Sequence, residues 1–396
     1  MFRKNEWSIL KLFYLSDLIL NSLFIMYAFF TVYITGIFPF HLAAIILSIN
    51  FISMVVFEIP TGIIADIFGR KFSSILGIFI GGIAFFCVGL TENFWVLILL
   101  FMFIGIANSL NSGAYTAWIV DLLKHKKQSV LTKVLFYRIS ILQNIGLIVS
   151  SLLGLFLVNL YGLKIIWFVT GGAFMIVGVI LLFQEEHFIR KKNSVKNHIK
   201  SFVKILKESS KYLFKHPIIS KLFIYEGLIS FMFGLTAIAW EPWLRDLGLP
   251  IYLFGLVIFF VAIITIILSA LAIKLSDNHA KKTVLINVNI IYLIICLIVM
   301  ITISPLIGFI LLVLKEALWT GVGWPTIISY KHDFYKSKWR ATLDSTVNML
   351  RGLTLFVGTI IGGVIASLIG LKLLIVFSSL LIVPSVIILL MIKKHK

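Results

Sequence analysis

The sequence predicts an all-α membrane protein in which twelve transmembrane helices form two pseudo-symmetric six-helix bundles. Three observations predict it. The 396 residues are 60% hydrophobic and only 13% charged, with a mean hydropathy of +1.09. Soluble domains are about one quarter charged, and no soluble core absorbs this much apolar surface. Apolar runs of about twenty residues, enough at ~1.5 Å per residue to cross a bilayer core of ~30 Å, recur along the whole length. Short stretches of the first half also return, in order, in the second, as a duplicated unit would leave them.

The first bundle, 1–186, contains apolar runs at 9–34, 41–64, 72–91, 95–121, 132–159 and 164–184. The opening "MFRKNEW" leads into the first run without a small-residue cleavage site, so that run reads as a retained span and not a signal peptide. A basic segment, 187–216, carries nine of the 35 Lys and Arg. Ile199, Phe202, Val203, Leu206, Tyr212 and Leu213 fall near one helical face of it, so an amphipathic helix could lie there on the membrane surface. The second bundle, 217–396, contains runs at 217–242, 251–275, 282–303, 306–331, 341–368 and 372–392.

Charge orients the spans. With the N-terminus cytoplasmic, only Lys164, Arg245 and Lys372 fall in the six outer connections. That asymmetry satisfies the positive-inside rule and places both termini and the central loop in the cytoplasm of a cell with this plasma (inner) membrane protein. The net charge of +19 has no continuous basic face, which argues against nucleic acid. Cys87 and Cys296 both sit inside apolar runs, without metal-ligand spacing, so neither a metal site nor a disulfide framework is expected.

The repeat is ordered. "KLF" at Lys11 returns at Lys221, "ADIFGRK" from Ala65 as "SDNHAKK" from Ser276, Asp121 as Asp333, Arg138 as Arg351, and "GLKIIWFV" from Gly162 as "GLKLLIVF" from Gly370; the offsets are 210, 211, 212, 213 and 208. Between the second and third spans lies "EIPTGIIADIFGRK", Glu58–Lys71. Pro60 and Gly62 permit a bend and close helix approach. Asp66 can pair with Arg70 or accept helix N-terminal amides; Gly69 allows a tight turn; Arg70 and Lys71 face an anionic leaflet.

Gly62, Asp66, Gly69, Arg70 and Lys71 match the Gly-x-x-x-Asp-x-x-Gly-Arg-Lys loop of the major facilitator superfamily, which the chain resembles over its whole length, and within it the bacterial efflux permeases. The resemblance implies alternating access between two halves around a central cavity, with this loop as a conformational gate that clasps the halves on the cytoplasmic side. It implies no cofactor and a monomer that works with a small-molecule substrate, protons as coupling ion and the lipid bilayer.

Polar groups inside the membrane are costly and mark function. They gather on spans one, four, seven and ten, the helices that line the cavity in the resembled family. Asp17 and Asn21 share a stripe of span one; Asn108, Asn111 and Tyr115 fall on span four; Glu226 lies on span seven; Lys315, Glu316 and Trp319 lie on span ten. Carboxylates among aromatic rings suit a lipophilic cation and could exchange a proton. Lys315 could also pair with Glu226 or Asp17. Asp121, Arg138, Asp333 and Arg351 read as structural charge pairs, the arginines with Asp121, Asp66 or Asp344. Trp240, Trp243 and Trp324 read as interfacial anchors.

Two features depart from drug–proton antiporters of the resembled family. Span four has Phe101 where they carry arginine, and "GLIVSSLLG" in span five has Ser151 where they carry proline. The expected function is export of amphipathic or cationic small molecules by proton antiport; the alternative is proton-coupled transport of an endogenous or nutrient metabolite, anionic if Lys315 binds it. A channel is disfavoured by the repeat and the Gly62–Lys71 loop, an intramembrane enzyme by the absence of zinc-protease and nucleophile-elbow motifs. A Walker motif is also absent, so ATP is not the direct energy source unless a separate subunit supplies it.

Overall fold

The computed structural model describes residues 6–187, 207–208, 211–278, 280–336 and 340–392. The chain is an all-helical membrane protein with twelve candidate spans: Glu6–Ile37, Phe40–Phe68, Arg70–Val88, Phe94–His125, Leu131–Tyr161, Ile165–Leu182, Pro217–Asp246, Ile251–Ala272, Lys281–Ile301, Pro305–His332, Leu343–Ile369 and Leu371–Leu390. No end lies more than four residues from the expected run. The runs predict the helices so closely because a helix is the structure that satisfies every backbone polar group within one segment in hydrocarbon. The expected amphipathic face at Ile199, Phe202, Val203 and Leu206 lies outside the described residues. Tyr212 and Leu213 are described, and Leu213 is buried against Ile219, Tyr335 and Leu343.

Spans one, four, seven and ten are interrupted along their length, and span twelve breaks between Ser379 and Ile382. Span one stops at Leu23, passes through a 3-10 turn at Ile25–Ala28 and resumes at Phe30. Span four breaks at Ser112 and Gly113, span seven between Thr236 and Trp240, and span ten passes through a π-helical turn at Trp319–Gly323. The breaks in spans one, four, seven and ten obey the repeat: Leu23 and Thr236 are 213 residues apart, Gly113 and Gly323 are 210 apart. Such interruptions free backbone groups and redirect side chains, and they recur at functional sites.

The chain divides into two compact units. One comprises Met1–Tyr33, Ile49–His198 and Tyr252–Phe259; the other comprises Ile34–Ser48, Ile199–Ile251 and Phe260–Lys396. In the first, Leu10, Phe13, Trp118, Ile119, Leu135 and Leu181 form a buried core, with Phe13 edge-on to Trp118 at 4.9 Å. In the second, Leu222, Tyr225, Ile229, Leu285 and Ile327 do the same. Spans seven and eleven approach backbone to backbone there: a Cβ on Gly358 would lie 2.7 Å from the Phe231 carbonyl oxygen and 3.1 Å from Gly234 Cα. Small residues permit that approach, which dispersion favours where lipid removes the hydrophobic drive. The exposed side chains of the spans include Ile141, Phe156, Ile176, Ile291 and Ile387, the apolar surface that a bilayer requires.

Candidate functional site

The loop between spans two and three is fixed within the first unit. Gly69 takes φ +104° and ends span two; Arg70 opens span three. The Arg70 guanidinium forms an ion pair with Asp121 and donates to the Ala117 carbonyl at 3.1 Å, tying the loop to span four. Asp121 thus joins the loop as a partner of Arg70 that the motif alone does not name.

The chain leaving span six completes the loop's surroundings. Glu186 Oε1 accepts from the Lys71 amide at 2.9 Å, where a carboxylate suits a helix N-terminus. Lys71 Nζ donates to the Leu182 and Gln184 carbonyls at 2.8 and 2.6 Å. Next to it Glu185 pairs with Lys126 at 2.6 Å, and the Lys126 ammonium holds the Glu185 carboxyl below its ordinary range. Sequence reasoning missed both glutamates, which lie more than a hundred residues from the motif and carry no spacing signal. Gly62 has open space around its Cα, so no neighbour is pressed against it.

Asp17 is 7% exposed, and its Oδ2 accepts from the Tyr115 hydroxyl at 3.4 Å. Among the described residues no cation pairs with it. Phe13, Tyr115 and Trp118 stand edge to face in one cluster beside it, with ring centroids 4.9 to 6.4 Å apart. Asn21 donates back to the Asp17 carbonyl at 2.7 Å, and Asn111 to the Ala107 carbonyl at 3.4 Å, so both amides close on their own helices. Asn108 instead donates to Asn50 Oδ1 of span two at 3.1 Å. The structure thus brings the Asp17 and Tyr115 side chains together, while the amides of Asn21, Asn108 and Asn111 donate to other acceptors.

In the second unit, Glu226 is 6% exposed and faces Lys331 Nζ at 3.4 Å. Lys331 also reaches Asp344 at 3.5 Å, and His332 Nε2 lies 3.0 Å from the same carboxylate. A cleft beside them is lined by Tyr225, Glu226, Phe233, Trp319, Trp324 and Arg351. Lys331 is buried and was not singled out from the sequence, because at the end of span ten it reads as one more inner-face lysine.

Lys315 does not pair with Glu226, the expected partner in its own unit. Its Nζ lies 2.5 Å from Glu316 Oε1 and 4.6 Å over the Trp240 ring centroid. Trp240 and Trp243 are 2% and 4% exposed, so they are packed inside the unit and are not interfacial anchors. Arg138 pairs with the fully buried Glu6, and Asp121 is taken by Arg70. Arg351 lies 4.2 Å over the Trp324 ring, and Asp333 pairs with Lys281 at 2.7 Å. The charges at Asp121, Arg138 and Asp333 are engaged, but with partners that helix-end position alone does not reveal. No group of three or more metal-ligating side chains occurs among the described residues.

Twelve spans, duplicated breaks and buried charge on the broken spans define a polytopic transporter. The match to the Major Facilitator Superfamily model covers residues 13–353, and the chain belongs to that family. No curated protein matches it. Among solved structures, the nucleoside transporter NupG is 17% identical, with TM-score 0.75 and 97% of this chain and 99% of that one covered. A D-xylose-proton symporter is 13% identical, with TM-score 0.71 and 95% and 97% covered. An auto-inhibited POT family peptide transporter is 11% identical, with TM-score 0.74 and 97% and 98% covered. Likeness at these identities is likeness of fold. None of the three is described as an efflux permease, so the expected resemblance to that group gains no support from them.

Proposed function

We propose that this secondary transporter exports amphipathic, cationic small molecules in exchange for protons, with Asp17 as the carboxylate that carries either the proton or the solute's charge. One observation carries the reading: Asp17 is buried, touches a tyrosine hydroxyl and has no cationic partner among the described residues. A buried carboxylate charge without compensation costs several kcal/mol, so a proton or a cationic ligand must accompany it. A single group that serves both in turn makes the process an exchange. Tyr115, packed edge-on against the buried Phe13 and Trp118, supplies an aromatic ring beside Asp17 that suits an organic cation. Glu226, by contrast, has Lys331 beside it, which fits a structural or switching role.

In this reading the halves 1–186 and 217–396 alternate in access as a monomer, joined by 187–216. Both termini lie in the cytoplasm, and the Gly62–Lys71 loop acts as the gate. The D-xylose-proton symporter is a proton-coupled protein of the same fold, so protons are a reasonable coupling ion here. The alternative, an anionic metabolite bound by Lys315, has less support because Glu316 already holds that ammonium.

The test is proton movement in liposomes holding the purified chain, on addition of a panel of lipophilic cations. Wild type should move protons on cation addition, Asp17→Asn should not, and Glu226→Gln should retain part of the activity. Cation-driven proton movement that survives Asp17→Asn would overturn the assignment.

A further inference from the structure

We propose that Glu316 and the face of Trp240 form an ammonium-binding subsite already occupied by the chain's own Lys315, and that a cationic solute binds there by displacing it. The inference rests on the reading above that the solute is cationic. A carboxylate beside an indole face is a general means of holding an ammonium ion, by charge pairing and by attraction to the ring quadrupole. Lys315 Nζ sits in that arrangement, 2.5 Å from Glu316 Oε1 and 4.6 Å from the Trp240 centroid. The lysine is 3% exposed and the tryptophan 2%, so the ring is fixed by packing. The Glu316 side chain keeps 34% of its exposure and can be approached.

Two features make Lys315 an exchangeable occupant. Adjacent residues on a helix do not face one another, so the Lys315–Glu316 pair is a poor intrahelical pair held in place by Trp240 of span seven. Glu241 follows Trp240 directly in the sequence, so a second carboxylate stands one residue from the ring that Lys315 covers. In the proposed displacement the solute ammonium takes Glu316, and Lys315 takes Glu241. Glu241 lies in the short helix Trp240–Asp246, just past the break in span seven. The hand-over would therefore pull on the segment of span seven that the break sets apart.

Removing the lysine should uncover the subsite. The probe is n-butylammonium, which is the lysine side chain without its backbone, titrated calorimetrically into the purified full chain. Lys315→Ala should bind it at least tenfold more tightly than wild type, and Lys315→Ala with Glu316→Gln should lose that gain. If the alanine variant does not fold, Lys315→Met keeps the stem, and methylammonium should show the same tenfold gain. Equal affinity in wild type and variant, or a gain that survives Glu316→Gln, overturns the proposal. The liposome assay separates the two readings. Proton movement in wild type without an uncovered subsite sinks only this inference. A subsite uncovered in a protein that moves no protons sinks only the exchange reading.

Discussion

Gly69 shows how one residue joins the loop motif to the rest of the first unit. Its φ of +104° is one that L side chains rarely adopt, and a Cβ there would stand 2.9 Å from Glu186 Oε1. Gly69→Ala should therefore cost about 1–3 kcal/mol in backbone conformation alone. It should also push Glu186 off the Lys71 amide. The expected outcome is a melting temperature lower by a few degrees in detergent, with a smaller drop for Glu186→Gln, which still offers an acceptor. An unchanged melting temperature in Gly69→Ala would mean the turn is not held as described. The glycine itself is legible in the sequence, since the motif places it at a turn. Its partner is not, because Glu186 meets the loop only through the packing of span six on span three, and nothing local to "FQEEH" points to it.

Among elements, the spans were legible and their breaks only partly so. Hydropathy fixes where a helix crosses because the bilayer penalises each polar backbone group equally along it. It does not report where the helix stops and restarts. Gly113 in span four and Pro242 just after the span-seven break are visible punctuation. The span-one break runs through "LFIMYAFF", which has neither glycine nor proline, so its cause is tertiary. The repeat supplies the missing signal, since a break in span seven maps onto span one. Element packing can be tested where spans seven and eleven meet. Gly358→Val would force a side chain against the Phe231 carbonyl and Gly234 Cα, backbone atoms that cannot swing aside. Overpacking of this kind costs about 1–3 kcal/mol. A marked loss of thermal stability is expected, while Gly172→Ala, which meets nothing within 4 Å, should be nearly neutral. Equal melting temperatures for the two variants would remove the close approach as a source of stability.

At the scale of the whole molecule, the sequence carried the family through the Gly62–Lys71 loop and the ordered repeat. It did not carry the pairing of buried charge, because Lys331 with Glu226 and Arg138 with Glu6 depend on which helices neighbour one another. Membrane orientation belongs to this scale too, since it is set by the summed charge of all the connections. Lys164, Arg245 and Lys372 are few against the basic residues of the opposite side, so the loop holding Glu92 should face outward and the loop holding Ser129 inward. Both residues are exposed. With Cys87 and Cys296 replaced by serine, a membrane-impermeant maleimide applied to intact cells should label Glu92→Cys and leave Ser129→Cys unlabelled until the cells are opened. The export direction depends on this result. If Ser129→Cys is the one labelled from outside, the termini lie outside as well, the charge asymmetry has been read with the wrong sign, and the Gly62–Lys71 loop would gate the outer face instead.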